Sequence, residues 1–234
     1  MLRIENLWVG YGPVQVLKGL SLEVPRGQVV TLLGGNGSGK STTLRAIMGV
    51  VDVQAGSVRV DDRETRGLRP EHMVQLGVSL VPQGRRIFAP LSVRENLRLG
   101  AYTRRDRDGI RADLEDVLRR FPEIAPRLRA RSGTLSVGQQ QVVAFARGLM
   151  ARPRLLLMDE PSAGLAPKLV ERLADIIGEI HRGGMSILLV EQNVHLALSV
   201  ASFGYVLRDG LIAMAEPAGK LRGNEELIRH YLGG

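Results

Sequence analysis

Short apolar segments alternate with segments of helical period over most of the chain. An apolar run from Gln28 to Leu33 precedes a glycine-rich loop and a helical pattern that begins at Lys40. Such alternation predicts strands joined by helices, which is typical of an α/β fold. Further strands are predicted at LRIENLWV, LKGLSLEV, GSVRVDD, VSLVPQ, RLLLMDE and MSILLVEQ, and further helices at APKLVERLADIIGEIHRGG and VHLALSVA. The segment GYVLRDGLIAMAEP predicts a hairpin that turns at Asp209 and Gly210.

The pattern changes between Gly84 and Ala146. SVRENLRLGAYT, RADLEDVLRRF and the segment after Leu135 all have helical period, and no convincing strand lies between them. We therefore expect a mixed β core with an antiparallel β edge, built from 1–83 and 147–234, and an α-helical subdomain, 84–146, inserted into it. The whole chain, 1–234, would then form one domain.

Composition narrows the class of protein. The chain has no cysteine, which excludes disulfides and cysteine-ligated metal sites. Its apolar runs are far shorter than the roughly 20 residues of a membrane-spanning helix, and its N-terminus does not resemble a signal peptide, so we expect a soluble cytoplasmic protein. The net charge of +8 would suit nucleic acid or an anionic membrane. However, aromatic residues make up only 4%, and many arginines alternate with acids at helical spacing, which favours a solvated surface.

Residues 34–42, GGNGSGKST, match the phosphate-binding pattern G-x-x-x-x-G-K-[ST]. Glycines let backbone N–H groups surround phosphates, and the helix N-terminus that follows adds partial positive charge. Lys40 is expected to reach the β- and γ-phosphates, and Ser41 to ligate Mg²⁺. The alternative is a turn without a ligand, which the flanking strand and helix make the weaker one. The expected nucleotide-binding residues are Gly34, Gly35, Asn36, Gly37, Ser38, Gly39, Lys40, Ser41 and Thr42.

A second pattern of this kind is the apolar run LLLM, which ends in two adjacent acids, Asp159 and Glu160. A buried strand would deliver Asp159 to the Mg²⁺, and Glu160 could orient and polarise an attacking water. A strand that ends in two acids is weak evidence by itself. The phosphate loop upstream makes it much stronger.

Residues 135–139, LSVGQ, fit a capping box in which Ser136 is the N-cap and Gln139 reaches back. A cap alone does not explain the position of this segment shortly before the acidic strand. With the motifs above, it makes the chain resemble an ABC-type ATPase subunit from end to end. In that resemblance the aromatic loop corresponds to Tyr11, the glutamine loop to Gln83, the signature to 135–139, the D-loop to 162–166 and the switch position to Gln192.

The resemblance implies ATP and Mg²⁺ as ligands and gives each matched residue a role. Tyr11 would stack on adenine, or it packs on its own strand. Gln83 would sense Mg²⁺ or the attacking water, or it is an ordinary strand-end amide. The implied catalytic residues are Glu160, Gln192 and Gln83, and the implied Mg²⁺ residues are Ser41, Gln83 and Asp159.

Two signature residues, Ser136 and Gly138, are implied to contact the γ-phosphate of ATP bound to a second ABC ATPase subunit. The positive end of the helix that follows them would favour such a contact. ATP would thus lie between two subunits in a head-to-tail homodimer or heterodimer, which hydrolysis reopens.

A narrower resemblance is to the ATPase subunits of branched-chain amino-acid importers and of their urea and amide relatives. It depends on VPQGRRIF, DEPSAGLAP, ILLVEQN and the terminal YLGG. It implies two membrane permease subunits, an extracytoplasmic substrate-binding protein, no nucleic acid, and a peripheral location at the cytoplasmic face of the inner membrane. A cleft near Gln83, Arg85 and Arg86 would receive a coupling helix of the permease, although both arginines could instead be solvated charges. The transported substrate follows only from this resemblance.

Three positions depart from the general ABC pattern: Gln192 replaces histidine, Ala166 replaces the D-loop aspartate, and Val137 replaces the first signature glycine. The first two changes also resemble the importer subgroup, and glutamine can still donate a hydrogen bond to the γ-phosphate. A β-branched residue at 137 disfavours positive φ and would crowd an approaching phosphate. We expect the ATP site that this signature completes to be weakened.

Two other classes of protein share the phosphate loop. A soluble ABC ATPase acting on nucleic acid usually carries a long coiled-coil insertion or two fused cassettes, and this chain carries neither. A phosphotransferase would not need the LSVGQ segment. ATP hydrolysis that drives import is therefore the leading hypothesis.

Overall fold

The computed structural model describes residues 1–224 and residue 228, and the elements below lie within them. The terminal YLGG, residues 231–234, lies outside the described residues. The strands are β1 (Leu2–Tyr11), β2 (Val14–Val24), β3 (Val29–Gly34), β4 (Ala55–Val60), β5 (Arg63–Glu64), β6 (Val78–Val81), β7 (Leu155–Asp159), β8 (Ser186–Glu191), β9 (Phe203–Arg208) and β10 (Leu211–Pro217). The helices are α1 (Lys40–Ile47), α2 (Pro70–Gln75), α3 (Val93–Gly100), α4 (Arg107–Arg120), α5 (Val137–Leu149), α6 (Pro167–Arg182), α7 (Val194–Val200) and α8 (Ala218–Arg222).

These strands form two sheets, which confirms the predicted mixed core and antiparallel edge. The smaller sheet has the order β2-β1-β4-β5, and the larger has the order β10-β9-β3-β8-β7-β6. In the larger sheet β9, β3, β8, β7 and β6 run parallel, and the predicted hairpin adds β10 antiparallel to β9. Since β8 lies between β3 and β7, the carboxyl ends of these three strands are neighbours. Ligands of open α/β sheets bind at this edge.

The larger sheet is covered on both faces, which explains its continuous apolar runs. Along β7, Leu155 and Leu157 belong to one buried cluster, whereas Leu156 and Met158 belong to the other. The first cluster also contains the inward side chains of the antiparallel sheet, and the second contains those of α5, α6 and α7. The two faces therefore join the sheets and helices into one packed body.

Three helices, α3, α4 and α5, lie between β6 and β7, as the sequence predicts. Backbone bonds hold the start of α3 against the segment before α5, with Val93 N donating to Ala130 O at 3.1 Å. Helix α5 continues to Leu149, so the boundary expected at Ala146 falls inside a helix. The division of the chain at 84–146 stays a prediction. In the described part of the chain no helix is long and apolar enough to cross a membrane.

Three of these elements, β5, α2 and α8, were not predicted from the sequence. The strand β5 has only two residues, and α2 and α8 have too few turns for a clear period. One signal was present for α2, because Pro70 stands at the start of the helix, where a missing N–H costs nothing.

The strand between the two motif-bearing strands should control stability. Leu188 is fully buried in β8. We expect Leu188→Ala to lower the free energy of unfolding by about 2–5 kcal/mol, because it removes a large side chain from a site covered on all sides. Urea denaturation measures this loss. The matched Leu211→Ala, at a half-exposed leucine of β10, should cost less than about 1 kcal/mol, and equal losses would contradict the central position of β8.

Candidate functional site

The phosphate loop joins β3 to α1 at the carboxyl edge of the larger sheet. Two of its glycines have positive φ, +77° at Gly37 and +110° at Gly39. A Cβ added at Gly39 would lie 2.7 Å from Leu17 Cδ2, and one added at Gly34 would lie 2.4 Å from Ser38 Oγ. Glycine is therefore required both for the backbone conformation and for the close packing of the loop.

Lys40 is buried at the first position of α1, with 4% of its side chain exposed. Its Nζ donates to Gly34 O and Gly35 O, both at 2.8 Å, and lies 2.9 Å from Glu160 Oε1. A buried ammonium needs such oxygen partners, because an unpaired charge in the interior is strongly unfavourable. The loop thus holds one positive charge at the place where phosphates are expected.

Ser41 and Asp159 meet at the same place, although they are far apart in the sequence. Ser41 Oγ donates to Asp159 Oδ1 at 3.1 Å. Burial raises the pKa of Asp159, and the hydrogen bond from Ser41 opposes this increase. A hydroxyl and a carboxylate side by side are the oxygen ligands that Mg²⁺ prefers, so these two residues fit a magnesium site.

Gln83 and Glu160 are also in contact. Gln83 Nε2 donates to Glu160 Oε2 at 2.9 Å. Glu160 has a φ of +43°, which is unusual for a residue with a side chain, and its backbone N–H donates to Val190 O at 2.9 Å. The structure therefore holds the Glu160 carboxylate between the ammonium of Lys40 and the amide of Gln83.

These residues surround a cavity of about 380 Å³. The Ser38 hydroxyl, in the same loop, is buried and has no hydrogen-bond partner among the described residues, so a donor is left for a ligand. The positive charge, the glycine-lined loop and this free hydroxyl fit a phosphate group. The lining residues are Val16, Asn36, Gly37, Gly39, Lys40, Ser41, Thr42, Gln83 and Glu160. Val16 is the member that the sequence analysis missed, because a valine in a strand carries no chemical signal.

Eight expected site residues do not line this cavity. Gly34, Gly35, Ser38 and Asp159 belong to the phosphate loop and the acidic strand that adjoin it, whereas Tyr11, Gln192, Ser136 and Gly138 belong to other segments. Tyr11 ends β1 and is half-exposed, and Gln192 is exposed in the short loop between β8 and α7. Ser136 and Gly138 lie at the start of α5, in the helical insertion. A single chain thus brings together only part of the predicted site.

The capping box at the start of α5 is confirmed. Ser136 Oγ accepts from Gln139 N at 3.3 Å, and Gln139 Oε1 accepts from Ser136 N at 3.2 Å. Gly138 is needed within the chain, since a Cβ there would lie 2.9 Å from Leu169 Cδ2 of α6. The expected backbone strain at Val137 was wrong. Val137 is the first residue of the helix and does not have a positive φ, so the side chain causes no backbone strain and only its bulk remains relevant.

Glu191, the last residue of β8, was not predicted as a functional residue. Its carboxylate is buried and accepts from Ser162 N, Ser162 Oγ, Gln192 N and Asn193 N at 2.9–3.2 Å. Burial raises the pKa of Glu191, and the hydrogen bonds from Ser162, Asn193 and Gln192 oppose this. The signal in the sequence was an acid that ends an otherwise apolar strand, SILLVE, just as Asp159 ends LLLMD.

Comparison with known proteins agrees with this geometry. The sequence model of the ABC transporter family matches residues 17–163. The high-affinity branched-chain amino acid transport ATP-binding protein BraG of Pseudomonas aeruginosa is 40% identical over the full length of both chains. The probable branched-chain amino acid transport ATP-binding protein LivF of Archaeoglobus fulgidus is 35% identical over 100% of this chain and 99% of its own. The crystal structure of the ADP conformation of MJ1267, an ATP-binding cassette of an ABC transporter, has a TM-score of 0.89 and 25% identity, and covers 100% of this chain and 99% of its own.

The free hydroxyl of Ser38 gives a test of the cavity. We expect Ser38→Ala to weaken ATP binding about fivefold, since one hydrogen bond to a phosphate is worth about 1 kcal/mol. The unliganded protein should be no less stable, because the hydroxyl has no partner within the described residues. Isothermal titration with ATP and thermal unfolding measure both effects.

The matched control for this test is Ser199→Ala. Ser199 Oγ donates to Leu196 O at 2.8 Å in α7, away from the cavity. Its removal should lower stability slightly and leave ATP affinity unchanged. Equal ATP affinity in the Ser38→Ala variant and the unaltered protein would contradict the proposed use of this hydroxyl.

Proposed function

The chain belongs to the ABC transporter family, and we propose that it hydrolyses ATP to drive the import of branched-chain amino acids through membrane partners. The observation that carries the proposal is the convergence of Lys40, Ser41, Glu160 and Gln83 around one cavity, with Asp159 hydrogen-bonded to Ser41. The full-length similarity to two branched-chain amino acid transport ATP-binding proteins supports the choice of substrate.

The contacts in the cavity assign a task to each residue. The phosphates of ATP would displace the Glu160 carboxylate from the buried ammonium of Lys40, because phosphate and carboxylate are both anions that bind the same cation. Ser41, Asp159 and Gln83 would hold Mg²⁺, which neutralises charge on the phosphates when bound. Glu160 would then accept a proton from the attacking water, a step for which a carboxylate held by Gln83 is correctly placed.

A second ATPase subunit would complete the site. Ser136 and Gly138 do not line the cavity of their own chain, and the start of α5 is exposed. The capping box occupies Ser136 Oγ only as an acceptor, so its O–H hydrogen is still available to a phosphate. The exposed N-terminus of α5 can therefore contact ATP held by a head-to-tail partner, either a second copy or a related ATPase.

A groove beside the cavity suits a membrane permease. It has a volume of about 470 Å³, and Phe88, Leu99 and Tyr102 expose large apolar surfaces in it. Arg86 and Arg147 also line the groove, whereas Arg85 does not. Gln83 and Phe88 lie on the same segment between β6 and α3, so contact in the groove can reach the ATP site. We place the coupling helix of the permease here, at the cytoplasmic face of the inner membrane.

The transported substrate would be selected by the two permease subunits and an extracytoplasmic binding protein. The same ATPase role in a urea, amide or other amino-acid importer is the main alternative, and a nucleic-acid ATPase is the other. Uptake of labelled leucine by the assembled transporter tests the proposal directly. Urea or amide uptake without leucine uptake would favour the first alternative, and salt-sensitive DNA or RNA binding by the purified chain would favour the second.

The catalytic role of Glu160 can be isolated by Glu160→Gln. We expect this variant to bind ATP but to hydrolyse it at least about 100-fold more slowly, because the amide cannot accept the proton of the water. ATP turnover and leucine uptake by the assembled transporter should fall together. The control is Glu216→Gln, a partly exposed residue paired with Lys220, which should keep normal turnover. Near-normal hydrolysis by Glu160→Gln would remove Glu160 as the general base.

The bulk of Val137 gives a second prediction. Its side chain is 46% exposed at the start of α5, where it would face the partner's ATP. We expect Val137→Gly to raise ATPase turnover of the assembled transporter about fivefold, which corresponds to ~1 kcal/mol of relieved crowding. Val50→Gly, at an exposed valine outside the cavity, is the control. No increase in turnover or in ATP-driven dimerisation would show that the two ATP sites do not differ through Val137.

A further inference from the structure

The loop that carries Glu160 and the loop that carries Gln192 start from neighbouring strands, β7 and β8. One carboxylate, that of Glu191, contacts both loops. Its Oε1 accepts from Ser162 N at 3.0 Å, and its Oε2 accepts from Ser162 Oγ at 2.9 Å and from Gln192 N and Asn193 N at 3.2 Å. Glu191 is 1% exposed, so water does not compete for these bonds.

The contacts of Glu191 are unusual for a buried acid. It forms no ion pair among the described residues, and it lies outside the cavity that holds the proposed Mg²⁺ residues. Glu191 is the acceptor in all four hydrogen bonds, and three of the four donors are backbone N–H groups. Backbone donors that all converge on one carboxylate fix the path of the chain that carries them. The burial of this acid is therefore explained by the two loops that it holds.

The loop with Glu160 is held at both ends by the last two residues of β8. Glu160 N donates to Val190 O at 2.9 Å, and Ser162 is bound by Glu191. This double attachment fixes the segment in which Glu160 has its positive φ. Without it, a residue with a side chain would relax toward a more favourable φ, and its carboxylate would move.

The backbone of the loop with Gln192 is also fixed by hydrogen bonds. Gln192 is followed by Asn193, whose Oδ1 accepts from Leu196 N at 3.0 Å and caps α7. Glu191 binds the backbone N–H of both loop residues. The side chain of Gln192 is thus exposed, whereas its backbone is fixed. This arrangement suits a residue that contacts a ligand from a defined direction.

We propose that Glu191 is a positioning residue for ATP hydrolysis, which sets Glu160 and Gln192 in one fixed arrangement by binding both of their loops. The inference rests on the proposed roles of Glu160 and Gln192. It concerns their relative placement and adds no new contact between Glu191 and ATP.

The test is a double-mutant cycle on the ATPase activity of the assembled transporter. We expect Glu191→Gln to lower kcat roughly 10- to 100-fold, because an amide NH₂ must displace either the Ser162 or the Gln192 and Asn193 donors. The Kd for ATP should stay within about twofold. In a Gln192→Ala background, where the placement of Gln192 no longer matters, the same change should cost much less than it does alone.

The matched control is Ser186→Ala, at the opposite end of the same strand. Ser186 Oγ is buried and accepts from Gly27 N at 2.8 Å, so its loss should lower thermal stability without changing kcat. If Glu191→Gln does not fold, Ser162→Ala replaces it in the cycle, with a loss of a few fold, since only the Oγ bond is removed.

Several results would overturn the inference. They are a loss of kcat in Ser186→Ala equal to that in Glu191→Gln, a full additive loss in the double variant, and normal kcat in Gln192→Ala. Each would show that Glu191 acts only on stability or acts independently of Gln192. Failure of the proposed function gives a different result, because then Glu160→Gln keeps normal hydrolysis whatever the cycle shows.

Discussion

The nucleotide site depends on the contacts of one buried ammonium group, that of Lys40. It is shared by two backbone carbonyls of the phosphate loop and by the carboxylate of Glu160. Those carbonyls fix the loop around the charge, and the glycines make the tight path possible. Because Glu160 is also bound by Gln83, any anion that approaches Lys40 changes the contacts of both residues. Phosphate binding is therefore linked to the segment that leads from Gln83 into the helical insertion.

The order of strands makes this interaction possible. Since β8 lies between β3 and β7, the phosphate loop and the end of the acidic strand β7 lie near each other at one edge of the sheet, but β3 and β7 are not hydrogen-bonded to each other. The gap is bridged by side chains, Ser41 to Asp159 and Lys40 to Glu160. The end of β8 lies between them and contributes Glu191, which holds the neighbouring loops. The ends of three parallel strands, β3, β7 and β8, thus all contribute residues to this edge of the sheet.

The sequence predicted the elements better than it predicted their contacts. The strands that carry the motifs were predictable, because long apolar runs and turn residues mark them without reference to the rest of the chain. The bond from Gln83 to Glu160 was not, since it joins residues 77 positions apart and depends on how β6 aligns beside β7. The error at Val137 has a different cause. The capping box predicted at Ser136 already makes Val137 the first residue of a helix, where φ is negative, so the expectation of backbone strain conflicted with the predicted cap.

In the single chain, the residues around the cavity are separate from the signature residues at the start of α5. The groups that would hold phosphate, Mg²⁺ and water lie at the carboxyl edge of the larger sheet, at or after the ends of its strands and at the start of α1. The remaining donors lie at the start of α5, a helix of the insertion that packs against β6 of the core and against α3. Under the proposed function, the cavity of one chain would hold ATP, and the start of α5 of a second subunit would enclose it. Under the proposed function, motion of the helical insertion would affect hydrolysis and permease docking together, because the insertion carries Ser136, Gly138 and part of the wall of the groove.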